Sequence, residues 1–365
     1  MFYNIKINFV SQLYLINFVN IKRIWLYLIL LPLQQFLHAE SKLPEDYYLE
    51  AFNEMSDMLA GRDSLCIKRA VYLAEWAYYE GKLDYKTDFC DEIDRISNFI
   101  ISLYDVNKYS SYKNGKQMAL NAYFFTPCSG NGYKPYTYDF ETFAMKDKEP
   151  WDAQFVSRTL KTHKGQCRSL PWTYKILAKE IGADVSIAQA PRHSYIMYRD
   201  EDNVTPEEWI NLEVTANQLV PAWWIKQDFE ICDSAIYVGT YMTPLSDIET
   251  VACQMTDLAF GYWKKFKRYD DFTYYCAVRS LEFYPMNPNG WIFKNKSLEQ
   301  KIRYYLMRNG GVIDEYIDHL ISQLAETKER LDKTYITIET EEFRKHREQQ
   351  AIEAEKRSRE KRQLK

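Results

Sequence analysis

The spacing of apolar residues changes abruptly at Gly182, and this change constrains the fold more than any other feature of the chain. The apolar positions just before it are Leu170, Tyr174, Leu177 and Ile181. Their spacing of four, three and four residues predicts the buried stripe of an amphipathic helix that Gly182 ends. After Gly182, two stretches indicate strands that pair as a hairpin and give an α+β fold: DVSIAQAPRHSYIMY at 184–198 and EEWINLEVTA at 207–216.

A single cysteine, Cys167, stands at the beginning of this helix, directly after Gly165 and Gln166. Pro171 fits the first turn of a helix, where its missing N–H removes no helical hydrogen bond, so the helix is expected to begin at Cys167. The unpaired backbone N–H groups and the helix dipole at such a position favour negative charge and lower the pKa of a thiol. Cys167 is therefore a candidate nucleophile, and the alternative is a buried structural thiol.

A cysteine nucleophile needs a base that takes its proton, and histidine is the usual choice. His38 belongs to an N-terminal segment that is expected to be removed, and His346 lies in a charged tail. His163 is only four residues before the cysteine, and His319 falls on a helix near the C terminus. His193 remains as the best candidate base, because a strand beside the start of a helix can hold its ring rigidly against the sulfur.

The second predicted strand offers a group that would orient the base. Apolar and polar residues alternate along 210–215, so one face of the strand carries three polar side chains: Asn211, Glu213 and Thr215. A carboxylate would fix the histidine tautomer and stabilise an imidazolium, which ranks Glu213 first and Asn211 second. Gln166 could donate to an oxyanion, although a residue at that position more often serves the turn. Backbone N–H groups at the helix start, including that of Cys167, are expected to contribute more.

These residues carry a resemblance to a known family. GQC opening a helix at 165–167, a histidine on a following strand and WINLEVTA at 209–216 resemble the transglutaminase-like superfamily of papain-type cysteine enzymes. The resemblance covers about residues 151–221 and implies Cys167 as nucleophile, His193 as base and Glu213 as orienting acid. Glutamate stands where aspartate is usual in the family. RSLP replaces the tryptophan that follows the cysteine in cross-linking members, which suggests a bacterial branch whose members are often hydrolases or of unknown activity.

The flanking sequence predicts helices on both sides of this core. Apolar residues recur every three or four positions in 46–61 and 67–85, whereas turn residues over 109–150 predict loops and short strands. Residues 257–285 resemble a tetratricopeptide repeat. The expected segments are a signal peptide at 1–39, an N-terminal helical region at 40–115, the transglutaminase-like core at 116–235, a helical, repeat-like region at 236–335 and a charged tail at 336–365.

The N-terminal segment predicts export. Lys22 and Arg23 precede the apolar run IWLYLILLPL, and Ala39 offers a small residue for cleavage. This run is shorter than the roughly 20 residues that span a bilayer. A cleaved signal and a periplasmic or extracellular location are therefore expected, with an uncleaved membrane anchor as the alternative.

Net charge and cysteine spacing limit which partners and cofactors are expected. A net charge of −4 gives no reason to expect a nucleic acid partner. The seven cysteines contain no CxxC pair, and their odd number leaves at least one thiol without an intramolecular disulfide. A metal site built from Cys167 and His193 is disfavoured because no ligand pairs flank them, so no metal or cofactor is expected.

Two functions follow from these features. The first is an exported cysteine-dependent acyl-transfer enzyme that acts on peptide or isopeptide amide bonds through Cys167, His193 and Glu213, with hydrolysis favoured over cross-linking. The second is a catalytically inactive scaffold of the same fold, whose helical regions bind a protein or peptide partner.

Overall fold

The computed structural model describes residues 42–143, 145, 149–336 and the single positions Lys345, Gln349, Ile352, Glu353 and Lys356. Contacts divide the chain into two units, Met1–Leu43 and Pro44–Lys365, and every element below belongs to the second. The proposed signal segment with His38, and His346 with most of the charged tail, lie outside the described residues.

The second unit begins with helices, as the periodicity of its sequence predicts. The pattern over 46–61 forms one helix and the pattern over 67–85 forms another, and the two pack together. Tyr48 and Met55 of the first helix are fully buried, as are Ala70 and Val71 of the second. The helices are α1 (Pro44–Leu59), α2 (Ile67–Tyr78) and α3 (Asp91–Val106).

A fourth helix corrects the expectation of loops and short strands over 109–150. Turn residues on both sides obscure the helical spacing of the residues between them. The helix that these residues form is stabilised by tertiary packing. Phe124 stacks on Tyr136 with ring centroids 4.1 Å apart and meets Tyr174 edge-on at 5.4 Å. The elements that follow one another here are α4 (Gly115–Phe125), β1 (Thr137–Tyr138) and α5 (Phe140–Phe143).

The helix predicted from the apolar stripe lies at the centre of the unit. It is α7 (Ser169–Glu180), and it follows α6 (Val156–Thr162) and a short strand, β2 (Lys164–Gly165), which pairs in parallel with β1. Leu170, Tyr174 and Leu177 are fully buried. Gly182 ends the helix with φ +68°, in the left-handed region that favours glycine.

Four antiparallel strands follow α7 in the order β3-β4-β5-β6. The first predicted strand is in fact two, because the chain reverses at Pro191 and Arg192; Arg192 has φ 55° and Ala190 pairs with His193. The predicted pairing of the histidine-bearing strand with the next one is confirmed, with Ile196 opposite Leu212. The strands are β3 (Ser186–Ala190), β4 (His193–Arg199), β5 (Trp209–Glu213) and β6 (Gln218–Val220).

The two faces of the sheet contact different parts of the unit. Ile187, Ile196 and Leu212 join the large hydrophobic core that includes α7. On the other face, Tyr195 and Met197 belong to a second, smaller cluster. That cluster is covered by residues from the chain after the sheet, including α8 (Ala222–Asp228) and α9 (Asp233–Tyr237).

The C-terminal part is helical, as expected, and it shares a core with the N-terminal helices. α10 packs against α1 and α2 as well as against α11. The large core accordingly extends from Tyr48 to Phe293 and crosses the segment borders at 115 and 235. The helices are α10 (Asp247–Phe266), α11 (Asp271–Phe283), α12 (Pro288–Arg308) and α13 (Glu315–Lys333).

The described residues therefore form a mixed α+β unit, in which a small antiparallel sheet and one parallel strand pair are surrounded by helices. None of the helices in these residues has the length and apolar character needed to cross a bilayer.

Replacing Leu177 with alanine tests the importance of α7 as the central helix. The side chain is fully buried, so Leu177→Ala should lower the free energy of unfolding by about 2–5 kcal/mol through lost burial and a residual cavity. Leu219→Ala is the matched control, because Leu219 is 52% exposed and its loss should change stability by only about 0.5 kcal/mol. Urea unfolding followed by circular dichroism measures both, and equal losses would contradict the central role of α7.

Candidate active site

Cys167 lies in a turn immediately before α7, because the helix begins two residues later than the sequence predicts. The helix begins at Ser169, with Arg168 at its cap position. The backbone N–H of Leu170 nevertheless donates to the carbonyl of Gln166 at 3.0 Å, so the turn that contains Cys167 already has a helical hydrogen bond. The cysteine is therefore at the amino end of the helix, and its side chain is partly accessible to solvent.

Glycine and glutamine before the cysteine have separate roles in this turn. A Cβ on Gly165 would lie 2.6 Å from Ser169 Oγ and 2.7 Å from Thr159 Oγ1, so only glycine fits without displacing a neighbour. The side-chain amide of Gln166 donates to the carbonyl of Asp139 at 2.8 Å, and its backbone N–H donates to Ser169 Oγ at 2.9 Å. Gln166 thus holds the turn, and its role toward an oxyanion stays a prediction.

The tight hairpin between β3 and β4 brings His193 to this turn. The thiol of Cys167 donates to the carbonyl of Arg192 at 3.8 Å, so the sulfur lies against the residue that precedes the histidine. Cys167 is also close enough to the imidazole to raise the pKa of His193. Two residues 26 positions apart in the sequence therefore meet because a helix start and a hairpin turn are adjacent in the fold.

Glu213 lies behind the imidazole. His193 Nε2 is 2.6 Å from Glu213 Oε2, and the two side chains are only 5% and 4% exposed. Because Nε2 is engaged with the carboxylate, Nδ1 is the ring nitrogen that can meet the thiol. The other carboxylate oxygen accepts from the backbone N–H of Thr215 at 3.1 Å and from its hydroxyl at 2.5 Å. The carboxylate is thus fixed by the turn that follows β5.

The pKa values of this pair are shifted in the directions expected for an ion pair. Burial lowers the pKa of His193, but the charge of Glu213 and the interactions of the protonated ring with Cys167 and Glu213 outweigh it and raise the pKa to about 9. Burial raises the pKa of Glu213, and the opposing effects of His193 and Thr215 lower it below its usual value. At neutral pH the pair is therefore an imidazolium beside a carboxylate, and an adjacent imidazolium favours the thiolate form of a cysteine.

Asn211, the second choice for the orienting group, has a different partner. Its side-chain amide donates to Glu207 Oε2 at 3.4 Å. Glu207 also accepts from the backbone N–H of Ala222 at the start of α8, at 3.0 Å. Asn211 Oδ1 is buried and finds no hydrogen-bond partner among the described residues. The group beside the imidazole is Glu213.

Two other histidines of the described chain lie apart from this site. His163 Nδ1 is 2.6 Å from the carbonyl of Lys134, and the ring stacks on Tyr136 at 4.5 Å. His319 lies on α13, and its Nε2 is 3.1 Å from the amide nitrogen of Gln323. Within the parts of the chain that were placed, no group of three or more His, Cys, Asp or Glu residues has the arrangement of a metal site.

One aromatic residue of the site is not predicted from the sequence. Phe229 stacks on the imidazole of His193, with centroids 4.6 Å apart and planes inclined by 24°. Phe229 is 2% exposed and follows α8 directly, so it covers one face of the ring and excludes water from it. No spacing in the sequence links it to His193. The sequence does place Thr215 on the polar face of the second predicted strand. Its two hydrogen bonds to Glu213 are not predicted.

Glu213→Gln tests the electrostatic origin of the His193 shift. The substitution removes the charge that raises the histidine pKa and leaves the burial that lowers it, so the His193 pKa should fall from about 9 to its ordinary value of 6.5 or below. NMR titration of histidine ring signals measures the change. Glu208→Gln is the control, since Glu208 is exposed and pairs with Arg199 away from the site. An unchanged His193 titration in Glu213→Gln would contradict this origin.

The same pair predicts how stability depends on pH. The pKa of His193 is raised on folding, so its contribution to the free energy of unfolding is fully present below about pH 6.5 and is lost as pH rises through about 9. The pKa of Glu213 is lowered on folding, so its contribution is present above its ordinary pKa and is lost as pH falls through the lowered value. In the Glu213→Gln variant, urea unfolding between pH 6 and pH 10 should show less loss of stability than in the parent protein.

Gly165→Ala tests the close packing of the cysteine turn. The added Cβ meets Leu170 Cγ at 3.0 Å in addition to the two hydroxyl oxygens, so the variant should lose about 1–3 kcal/mol of stability. Gly261→Ala is the control, because the nearest atom to its added Cβ is at 3.4 Å and the glycine lies inside α10. Thermal unfolding distinguishes them, and equal tolerance of both substitutions would contradict the packing argument.

Protein-family models, curated proteins and solved structures were all compared with the chain, and none matches. The chemistry of the chain must therefore be inferred from the site itself, which joins a partly accessible thiol, a buried imidazole and a buried carboxylate.

Proposed function

We propose that this chain is a cysteine-dependent acyl-transfer enzyme that acts on peptide or isopeptide amide bonds, with hydrolysis favoured over cross-linking. The observation that carries the proposal is the meeting of three groups: the Cys167 sulfur lies against the residue before His193, and the His193 imidazole is hydrogen-bonded to the buried Glu213 carboxylate. A nucleophile, a base and a group that orients the base are the parts that such chemistry requires.

Each residue has a defined role in the proposed reaction. The thiolate of Cys167 attacks the carbonyl carbon of the amide and forms a C–S bond, and backbone N–H groups at the start of α7 stabilise the oxyanion. The imidazolium of His193 then gives its proton to the departing nitrogen as the C–N bond breaks, which leaves a thioester and a free amine. His193 next takes a proton from water, the hydroxide attacks the thioester, and the thiolate and a carboxylic acid are formed. Glu213 keeps the ring oriented throughout.

The relationship to the transglutaminase-like superfamily and its papain-like fold is part of this proposal. It is supported by the order Cys167, His193, Glu213 along the chain and by the position of the cysteine at the amino end of a helix that precedes antiparallel strands. Glutamate in place of the usual aspartate adds one methylene, and the 2.6 Å distance to His193 Nε2 is compatible with that longer side chain. Export is proposed on the N-terminal basic and apolar pattern that ends near Ala39.

The alternative proposal is a scaffold that binds a protein or peptide without catalysis. Exposed apolar side chains at the end of the last two helices favour it: Tyr304, Met307, Val312, Ile313 and Tyr316. An apolar surface of this kind is typical of protein contacts. The state of the Cys167 thiol separates the two proposals, because a scaffold does not need an activated sulfur.

Alkylation by iodoacetamide as a function of pH tests the enzyme proposal. Cys167 should be alkylated at pH 6 faster than an ordinary exposed thiol, because its sulfur lies at the amino end of α7 against the turn that carries His193. Cys232 is an internal control in the same molecule, since it is an exposed cysteine and should react only as an ordinary thiol does. Peptide mapping by mass spectrometry assigns the label to each cysteine. Identical pH profiles for the two thiols would favour the scaffold.

Activity is tested with the Cys167→Ala variant and a mixture of peptides that contain α-peptide and lysine isopeptide bonds. Cys167→Ala should abolish both cleavage and labelling by a thiol-reactive peptide analogue, while Cys66→Ala should leave both intact. Incorporation of a fluorescent primary amine would reveal transfer instead of hydrolysis. Cleavage that survives in Cys167→Ala would overturn the assignment of the nucleophile.

A further inference from the structure

Arg168, the residue directly after the candidate nucleophile, is a buried cation. Its side chain is 11% exposed. The guanidinium lies near the faces of Trp151 and Trp172, with its central carbon 5.8 Å and 5.9 Å from the two ring centroids. Arginine is rarely buried without paired charges. The partners of the Arg168 guanidinium therefore show which elements the Cys167 turn is bonded to.

Those contacts extend to α10, the first of the four long helices in the C-terminal part. One terminal nitrogen of Arg168 donates to Asp257 Oδ2 at 2.8 Å and lies 3.3 Å from Gln254 Oε1. Asp257 is itself 15% exposed and accepts a second hydrogen bond from the amide of Gln254 at 2.9 Å. The other terminal nitrogen donates to the carbonyl of Gln154 at 2.7 Å. Both terminal nitrogens of the side chain next to Cys167 are therefore held by hydrogen bonds.

A second buried carboxylate contributes from the N-terminal helices. Glu75 on α2 is fully buried and accepts from the backbone N–H groups of Val156 at 2.6 Å and Ser157 at 3.0 Å, at the start of α6. Burial raises the pKa of the Glu75 carboxyl, and the hydrogen bonds of Ser157 and the positive charge of Arg168 oppose that effect. The guanidinium is thus stabilised by carboxylates from two helices that lie outside the segment containing the proposed triad.

We propose that Arg168 is a positioning residue, and that its ion pair with Asp257 holds the Cys167 turn at the distance from His193 that activation of the thiol requires. The inference rests on the proposed function. It gives α10, which lies in the helical, repeat-like region, a direct part in the reactivity of the nucleophile. A buried, hydrogen-bonded ion pair restricts geometry more strongly than a solvated one, because water cannot replace either partner.

The chain offers a matched control for this ion pair. Lys175 donates to Asp247 Oδ1 at 2.9 Å, and Lys179 donates to Asp247 Oδ2 at 2.5 Å. This second connection joins the same two helices, α7 and α10, but it lies at the opposite end of α7 from Cys167. Loss of either connection weakens the contact between the helices, and only loss of the Arg168 connection releases the cysteine turn.

The experiment compares Asp257→Asn with Asp247→Asn in the full chain, using iodoacetamide alkylation of Cys167 as a function of pH. In Asp257→Asn the alkylation rate at pH 6 should fall by about 10- to 100-fold, because a small displacement of a reacting group has effects of that size. The pH profile should move toward that of Cys232 in the same molecule. In Asp247→Asn the melting temperature should fall while the profile of Cys167 keeps its parental form.

Arg168→Lys adds a milder variant that keeps the positive charge beside Asp257. Its rate at pH 6 should lie between those of the parent and Asp257→Asn, and it provides the measurement if Asp257→Asn does not fold. A parental profile in Asp257→Asn, or in Arg168→Lys if only that variant folds, would overturn the inference and leave the proposed function intact. If the parent protein itself shows no reactivity at pH 6, the proposed function and this inference both fail.

Discussion

The ion pair between His193 and Glu213 is the interaction on which the rest of the site depends. Two charged side chains almost without solvent contact are stable only when their remaining hydrogen-bond capacity is satisfied. Thr215 satisfies the free carboxylate oxygen, and the sulfur of Cys167 lies against the carbonyl of the residue that precedes His193. Phe229 covers one face of the ring. Each of these contacts keeps water out or fixes an angle, and together they hold an imidazolium at neutral pH.

The cysteine turn is held from two directions, and this explains the residues that surround it. Gln166 connects the turn to the short strand pair through the carbonyl of Asp139, and Gly165 allows that close approach. Arg168 connects it in the other direction to Asp257 on α10. The helices that flank the sheet therefore belong to the same packed structure as the site, in agreement with the hydrophobic core that they share.

Much of this arrangement could be read from local pattern. Alternation along 210–215 placed Glu213 on the polar face of its strand, and the stripe through Leu177 predicted α7, because both patterns report burial on one side of a regular element. The split of the first strand at Pro191 and Arg192 was not predicted, since residues typical of strands lie on both sides of this two-residue turn. Helix α4 was missed because turn residues dominate the sequence on both sides of it.

The sequence by itself determined the elements: a cysteine before an amphipathic helix, a histidine on a following strand and a carboxylate on the strand after that one. Periodicity carries that information because each residue's neighbours along the chain decide which face it occupies. Only the tertiary structure decided the partners. It placed His193 against Glu213 instead of Asn211, stacked Phe229 on the imidazole and joined Arg168 to Asp257. Such contacts link residues far apart in the chain, and their distances depend on how the elements pack, which no local pattern records.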